Sequence, residues 1–174
     1  MIGLCAPSAV SFAYIARTSL DAQVVQTPRG GVAFLFNRDV AKLLPRIAAA
    51  PAQETFFFYP YMPLLTFLAA REHMSKYDGL VPGYTTPAQY QEACLSAVRH
   101  ASRIVIDRRL ADYKYWKEVY PSMPDAEPQE TIRFEEALDR AFESVATEGI
   151  FELRRRREGT SDDVCTGIAG AGFQ

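Results

Sequence analysis

Two points in the sequence carry polar and aromatic side chains directly after a short apolar run, and chemistry could occur at both. The first is Tyr59-Pro60-Tyr61 and the second is Asp107-Arg108-Arg109. Tyrosine rings can stack on sugar rings, and an arginine guanidinium can pair with phosphate through two parallel hydrogen bonds. Together with side chains of the intervening loop, residues 72–86, they indicate a cleft for a sugar or a phosphosugar. The predicted ligand-binding residues are Tyr59, Tyr61, Arg71, His73, Tyr77, Tyr84, Asp107 and Arg108.

Each of these side chains also has an ordinary structural interpretation. Arg71 could lie on a helix surface or pair with Asp78, and His73 could hydrogen-bond the last carbonyls of a helix. Asp107 could cap the turn after its strand, and the tyrosines could all be packing residues. The sequence leaves these alternatives open.

The sequence contains no complete catalytic motif. His73 and His100 are its only histidines, and it lacks the nucleophile elbow of hydrolases, the zinc-protease helix motif and the kinase signatures. The adjacent carboxylates Glu135-Glu136 cannot converge on one helix face. The segment Arg29-Gly30-Gly31 lacks the Lys-Ser/Thr ending of a phosphate loop, so a plain turn is expected. We therefore predict no catalytic residue, no metal site and no cofactor.

The cysteines give no metal-binding pattern. Cys5, Cys94 and Cys165 lie far apart and form no Cys-x-x-Cys pair. Cys94 falls on the apolar face of a predicted helix, where a buried thiol behaves as a small hydrophobe. Cys5 and Cys165 could pair in an oxidising compartment, and the sequence does not settle their redox state.

Composition indicates one globular domain. The length of 174 residues suits a single core, and 48% apolar with 23% charged residues is typical of a folded protein. The net charge of −2 gives no basic footprint for nucleic acid, so we predict no nucleic-acid partner.

The elements that would position the candidate residues are two buried strands and the helix between them. Residues 55–59 and 104–107 are short apolar runs typical of central strands. Thr86-Pro87-Ala88-Gln89 has the residues of a helix capping box. The order strand, helix, strand predicts an α/β fold with a small, mostly parallel sheet flanked by helices. Antiparallel hairpins at 23–36 and 142–153 would add its edges. If the two strands are neighbours, their tips open onto a shared pocket.

Three regions are expected along the chain: an apolar leader or membrane-span remnant at 1–20, a single α/β domain at 21–157 and a flexible tail at 158–174. Residues 1–16 carry no charge, but a signal peptide would have Lys or Arg before its apolar run. A short buried helix or strand is the alternative. The basic run 154–157 is explained by a solvated strand end or by contact with anionic lipid headgroups.

Several segments in this order resemble a known family. They resemble the soluble C-terminal extracytoplasmic domain of bacterial polytopic membrane glycosyltransferases that use polyprenyl-phosphate sugars, relatives of protein mannosyltransferase and arabinosyltransferase-like proteins. The segments are the hairpin with Thr27-Pro28-Arg29-Gly30, the strand entering Tyr59-Pro60-Tyr61-Met62-Pro63, the helix 64–71, Tyr77, the turn Pro82-Gly83-Tyr84, the strand 104–107 and the closing strand 151–155.

The resemblance implies a non-catalytic accessory domain. In that family the catalytic acidic residue lies between membrane helices near the N-terminus, and this sequence contains no such helices, so no catalytic residue is carried over. The implied partners are a polyprenyl-phosphate sugar or glycan acceptor and the membrane part of a parent transferase. The implied location is the extracytoplasmic face of the bacterial membrane, in the periplasm; without the resemblance, a cytoplasmic location is expected.

Two other functions remain open. The chain could be a small stand-alone enzyme or binding protein that acts on a sugar phosphate through Tyr59, Arg71 and Asp107. It could also be a protein-interaction module without a small ligand, in which aromatic residues of a polar loop form an exposed contact patch. Those residues are Tyr113, Tyr115 and Trp116.

Overall fold

The structure is a computed structural model that describes residues 23–34 and 38–170. Expectations for the leader at 1–20, for Cys5, for residues 35 and 36 of the first hairpin and for residues 171–174 lie outside these ranges. The strands are β1 (Gln23–Thr27), β2 (Gly30–Phe34), β3 (Phe56–Tyr59), β4 (Arg103–Asp107), β5 (Phe142–Glu148) and β6 (Phe151–Arg156). The helices are α1 (Arg38–Ala48), α2 (Pro63–Ala69), α3 (Pro87–His100), α4 (Arg108–Ala111), α5 (Tyr113–Val119) and α6 (Gln129–Ala141), followed by a 3₁₀ helix at Asp162–Cys165.

The main sheet has four strands in the order β3-β4-β6-β5. The α/β class and the side-by-side placement of β3 and β4 are confirmed, and these two strands are parallel. The prediction of a mostly parallel sheet is wrong, because β4 pairs with β6 and β6 with β5 in antiparallel fashion. The reason is that α6 leads directly into the β5–β6 hairpin, and β6, not a further crossover strand, pairs with β4.

The two predicted hairpins both form, but only one belongs to the main sheet. β5 and β6 make its edge, as expected. β1 and β2 form a separate two-stranded sheet that packs near α1. The turn between them is the plain one: Gly30 has φ +112°, and the Thr27 hydroxyl donates to the Gly30 carbonyl at 2.8 Å.

Side chains of β3 and β4 alternate between two cores, as the pleat of a strand requires. One core packs against α3 and α6 and includes Phe57, Tyr59, Ile104 and Ile106. The other packs against α1 and α2 and includes Phe56, Phe58 and Val105. Both faces of these strands are therefore buried, which explains their unbroken apolar sequences.

The described part of the expected flexible tail, residues 158–170, is packed on the domain. A disulfide joins Cys94 of α3 to Cys165, and both cysteines are fully buried. Arg99 of α3 also pairs with Asp162 at 2.6 Å. The interpretation of Cys94 as a free buried thiol is therefore wrong, and the partner of Cys165 is Cys94, not Cys5. The small polar residues of this segment predict a flexible tail, but composition does not reveal the disulfide that fixes it to α3.

The basic run at the end of β6 is paired within the domain. Arg154 binds Glu152 and Asp139, and Arg155 binds Glu143 at 2.6 Å. The other two arginines contact Glu143 and the carbonyls at the end of α3. Ion pairs and hydrogen bonds within the domain thus account for these four arginines. Little unpaired positive charge remains for lipid headgroups.

Candidate functional site

The predicted ligand-binding residues do not converge on one cleft. Tyr59 pairs with Ile106 across β3 and β4, so Asp107 points to the opposite face of the sheet. The other candidates are separated by the loop between β3 and α3. Tyr59 and Arg108 line a polar cavity, Tyr61 and Tyr84 line an aromatic cleft, Arg71 and His73 line a groove beside α2, and Tyr77 is bound to α3.

Asp107 caps a helix. Only 4% of its surface is exposed, and its Oδ1 accepts hydrogen bonds from the backbone N–H groups of Arg109 at 3.0 Å and Leu110 at 3.1 Å. These are orphan donors at the start of α4, which a capping carboxylate satisfies. The structural interpretation of Asp107 is thus the one that its contacts support.

Arg71 holds the end of α1. Its guanidinium donates to the carbonyls of Ile47 at 3.2 Å and Ala48 at 3.1 Å, and also to those of Ala50 and Pro51. The last carbonyls of a helix have no partner inside the helix, so these bonds satisfy them. Arg71 does not pair with Asp78 and has few donors left for a ligand.

His73 and Tyr77 organise the loop after α2. His73 Nδ1 accepts from the Phe58 backbone N–H at 3.1 Å, and its Nε2 lies 3.0 Å from the Tyr77 carbonyl and so donates to it. Burial lowers the pKa of His73 below its ordinary value and favours this neutral form. The Tyr77 hydroxyl donates to the Glu92 carboxylate at 2.5 Å. Both side chains therefore fix the conformation of this loop through hydrogen bonds.

The aromatic cleft is an open, mainly apolar concavity at this end of the sheet. It has a volume of about 510 Å³ and is lined by Tyr61, Val81, Tyr84, Trp116 and Tyr120. The exposed fractions are 49% for Tyr61, 63% for Tyr84 and 41% for Tyr120, whereas Trp116 is buried at the base. The Trp116 and Tyr120 rings are nearly parallel with centroids 6.0 Å apart, and Tyr84 meets Tyr120 edge-on.

Tyr61 is held in the cleft by close contact with a glycine. Tyr61 and Gly79 form an antiparallel bridge, and the Leu80 N–H donates to the Pro60 carbonyl at 2.8 Å. A Cβ atom on Gly79 would lie 2.5 Å from Tyr61 Cδ2. Gly79 therefore permits this position of the ring.

A tight turn positions Tyr84 on the other side of the cleft. The Tyr84 N–H donates to the Val81 carbonyl at 3.1 Å, and the Val81 N–H donates to the Thr85 hydroxyl at 2.8 Å. Gly83 has φ +77°, a conformation that glycine adopts without strain. The predicted capping box follows at once, with the Gln89 N–H bound to the Thr86 hydroxyl.

The floor of the cleft is α5, where the sequence predicts a polar loop. Asp112 caps this helix through the Lys114 N–H at 2.9 Å. Tyr113 and Trp116 are both less than 10% exposed, and they pack with Met123. The proposed exposed patch of Tyr113, Tyr115 and Trp116 is therefore wrong. The i, i+3 spacing of Tyr113 and Trp116 is the sequence signal that one helix face buries both.

The polar cavity lies on the other side of the Tyr59–Tyr61 turn. Its volume is about 300 Å³, and the fully buried Tyr59 donates its hydroxyl proton to Glu135 Oε1 at 2.8 Å. Burial raises the pKa of Glu135 to about 7, with Glu127 and Asp139 adding to the effect, and burial also raises the pKa of Tyr59. The sequence shows Glu135 only as one of two adjacent carboxylates. Its place beside the apolar stripe of α6 was the available signal.

Residues 23–34 and 38–170 contain neither a metal-ligand cluster nor a membrane-spanning helix. No group of three or more His, Cys, Asp or Glu side chains in these ranges is arranged to hold a metal ion. No helix in the same ranges is both long enough and apolar enough to cross a membrane.

Comparison with models of protein families, with curated proteins and with solved structures finds no match to this chain.

Proposed function

We propose that this chain is a non-catalytic, glycan-binding accessory domain, with the aromatic cleft as its binding site. One observation carries the proposal. The cleft exposes the rings of Tyr61, Tyr84 and Tyr120. Among the described residues, the hydroxyls of these rings have no hydrogen-bond partner and no charged side chain lines the cleft.

These features match the chemistry of a neutral sugar. A sugar ring has apolar C–H faces that can pack on aromatic rings, and hydroxyls that both donate and accept hydrogen bonds. A phenolic hydroxyl also does both. Ligand pockets of this kind combine apolar walls with a few polar groups that fix orientation.

The cleft fits a glycan better than a proline-rich peptide. Aromatic grooves that bind such peptides need N–H or O–H donors for the peptide carbonyls. The indole N–H of Trp116 is already bonded to the Leu110 carbonyl. The phenol hydroxyls remain; a sugar hydroxyl can use both their donor and their acceptor, whereas a peptide carbonyl can use only the donor.

The alternative of a sugar-phosphate enzyme loses its key residues. Arg71 is bound to backbone carbonyls and Asp107 caps α4, so neither is free to hold a phosphate or to transfer a proton. Because the cleft has no cation, the proposed ligand is the glycan portion of an acceptor or of a polyprenyl-phosphate sugar, and not its phosphate.

The buried disulfide supports an extracytoplasmic setting. Disulfides persist in oxidising compartments such as the bacterial periplasm and are rare in the cytosol. The bond between Cys94 and Cys165 accords with a periplasmic domain beside the membrane part of a transferase. That arrangement remains part of the proposal.

The proposal is tested by binding of neutral oligosaccharides, measured by calorimetry and by thermal shift. We expect saturable binding that Tyr84→Ala and Tyr120→Ala each weaken at least tenfold. Phe67→Ala is the matched control, because Phe67 is an exposed ring outside the cleft. Absence of binding to every glycan tested, or equal loss in the control, would reject the aromatic cleft as a glycan site.

A further inference from the structure

A second concavity, the polar cavity, has a different chemistry from the aromatic cleft. It lies beyond the carboxyl ends of β3 and β4, where ligands bind in open α/β sheets. Its volume of about 300 Å³ is at the lower end of the range for ligand sites, which limits an occupant to a small molecule. Its lining includes Tyr59, Ile106, Arg108, Glu135, Leu138 and Asp139.

Most of the charged groups in this cavity are already paired. Arg154 donates to both carboxylate oxygens of Glu152, at 2.9 and 3.1 Å, and also binds Asp139. Asp112 caps α5. These contacts form a fixed polar wall.

Two groups of opposite charge type, the Glu135 carboxyl and the Arg108 guanidinium, can still form hydrogen bonds with a ligand. Glu135 accepts one hydrogen bond, from Tyr59, and its second oxygen has no partner in the part of the chain that the structure describes. The Arg108 guanidinium is exposed and likewise has no hydrogen-bond or ion-pair partner among those residues. A free carboxyl and a free guanidinium therefore line the same cavity without joining each other.

The two groups have different charged neighbours. The Glu135 carboxyl interacts electrostatically with Glu127, Asp139 and Arg154. The Arg108 guanidinium interacts with the Glu152 carboxylate. Glu135 therefore has mainly acidic neighbours, whereas Arg108 lies near Glu152, a carboxylate that Arg154 already binds.

We propose that the polar cavity binds a small zwitterion, such as a free α-amino acid. The ammonium group lies at Glu135 and Asp139, and the carboxylate pairs with Arg108. A singly charged ligand would engage only one of Glu135 and Arg108, whereas a zwitterion makes a charge-assisted contact with each. The apolar contacts come from Ile106 and Leu138, and an Arg–carboxylate pair adds two directed hydrogen bonds.

Binding of the ammonium group requires ionised Glu135, so affinity depends on pH. The groups that face Glu135 are Tyr59 from β3, Tyr90 from α3, Glu127 from the segment before α6, Asp139 from α6 and Arg154 from β6. Tyr59 stays protonated, because its pKa is raised. With a pKa of about 7, the ionised fraction of Glu135 and hence the affinity rise about tenfold between pH 6 and pH 8.

The experiment titrates the purified chain with each common amino acid, with glycine betaine and with the corresponding amines and carboxylic acids, by calorimetry at pH 6 and pH 8. We expect at least one zwitterion to bind at least tenfold more tightly than its amine or its acid analogue, and more tightly at pH 8. Equal binding of the amine or the acid alone, or no binding of any zwitterion, would overturn the proposal.

Variants locate the site. Glu135→Gln keeps the acceptor for Tyr59, and Arg108→Met keeps the side-chain length; each should weaken binding at least tenfold while cooperative unfolding persists. Arg109→Met is the matched control, because Arg109 lies over the Tyr115 ring and outside the cavity. If Arg108→Met and Arg109→Met bind alike, the carboxylate contact assigned to Arg108 is wrong. The proposal is independent of glycan binding, which uses other residues.

Discussion

Replacing Glu135 by Gln should make the domain more stable at alkaline pH and should have a much smaller effect near pH 5. The folded domain raises the pKa of this carboxyl from 4.5 to about 7, chiefly by burial. For an acid whose pKa is raised on folding, the contribution to stability is complete below the unfolded pKa. It is lost as pH rises through the folded pKa. The loss therefore falls between about pH 4.5 and pH 7.

The magnitude follows from the shift. A difference of roughly 2.5 units corresponds to about 3 kcal/mol, of which about 2.5 kcal/mol develops between pH 5 and pH 8. Glutamine cannot ionise and can still accept the Tyr59 hydrogen bond. We expect Glu135→Gln to exceed the parent protein in unfolding free energy by about 2 to 3 kcal/mol more at pH 8 than at pH 5.

Urea denaturation at the two pH values measures this difference directly. Glu136→Gln is the control: its carboxylate is exposed and lies 3.9 Å from Arg140, a contact of little energetic weight. A difference between Glu135→Gln and the parent that does not change with pH would refute the reasoning. So would an equal response of the Glu136 variant.

Three further predictions concern residues outside the polar cavity. Cys94→Ala with Cys165→Ala removes a cross-link across a sequence separation of 71 residues, and chain entropy predicts a loss of about 4 kcal/mol in urea denaturation. Gly79→Ala should displace Tyr61, with its ring 2.5 Å from the new Cβ, and weaken glycan binding at least fivefold in calorimetry. Arg71→Met leaves carbonyls at the end of α1 without donors, and should lower the unfolding free energy by about 2 to 3 kcal/mol without changing ligand affinity.

Each of these changes has a control or a contradicting result. Gly31→Ala places its Cβ against the flexible Gln26 side chain, far in sequence from the cleft, and should not alter glycan affinity. The disulfide variant is compared with the parent under reducing conditions, where the two should converge in stability. If Arg71→Met lowers affinity but not stability, the ligand role first assigned to Arg71 would be restored.

Sequence patterns located the elements of this domain better than their pairing. The apolar runs of β3 and β4 and the Thr86 capping box are local signals, and both appear in the structure. The direction of the sheet depends on β6 pairing with β4, a non-local choice that no short motif encodes. The Cys94–Cys165 bond is non-local in the same way, since it joins a helix to a tail without a structural pattern.

The candidate binding residues of the sequence are divided among separate concavities in the structure. Placing two strands side by side brings their ends together, yet the pleat sends adjacent side chains to opposite faces. Tyr59 and Asp107 each end a strand, which predicts that they share a pocket. The β3–β4 register instead places their side chains on opposite faces of the sheet. Glu135 and Trp116 reach their sites from helices distant in sequence, which only the packing of α5 and α6 determines.

The turn at Tyr59-Pro60-Tyr61 separates two concavities with different linings. The Tyr59 hydroxyl lines a cavity with several charged side chains. The Tyr61 ring lines a cleft in which the described residues place no charged side chain. Glu135→Gln changes the charge of the first and touches no residue of the second. It should therefore abolish zwitterion binding and leave glycan binding intact, whereas Tyr84→Ala should do the reverse. If one substitution weakened both ligands while unfolding remained cooperative, the two concavities would act as one site, and the separate ligand assignments would have to be abandoned.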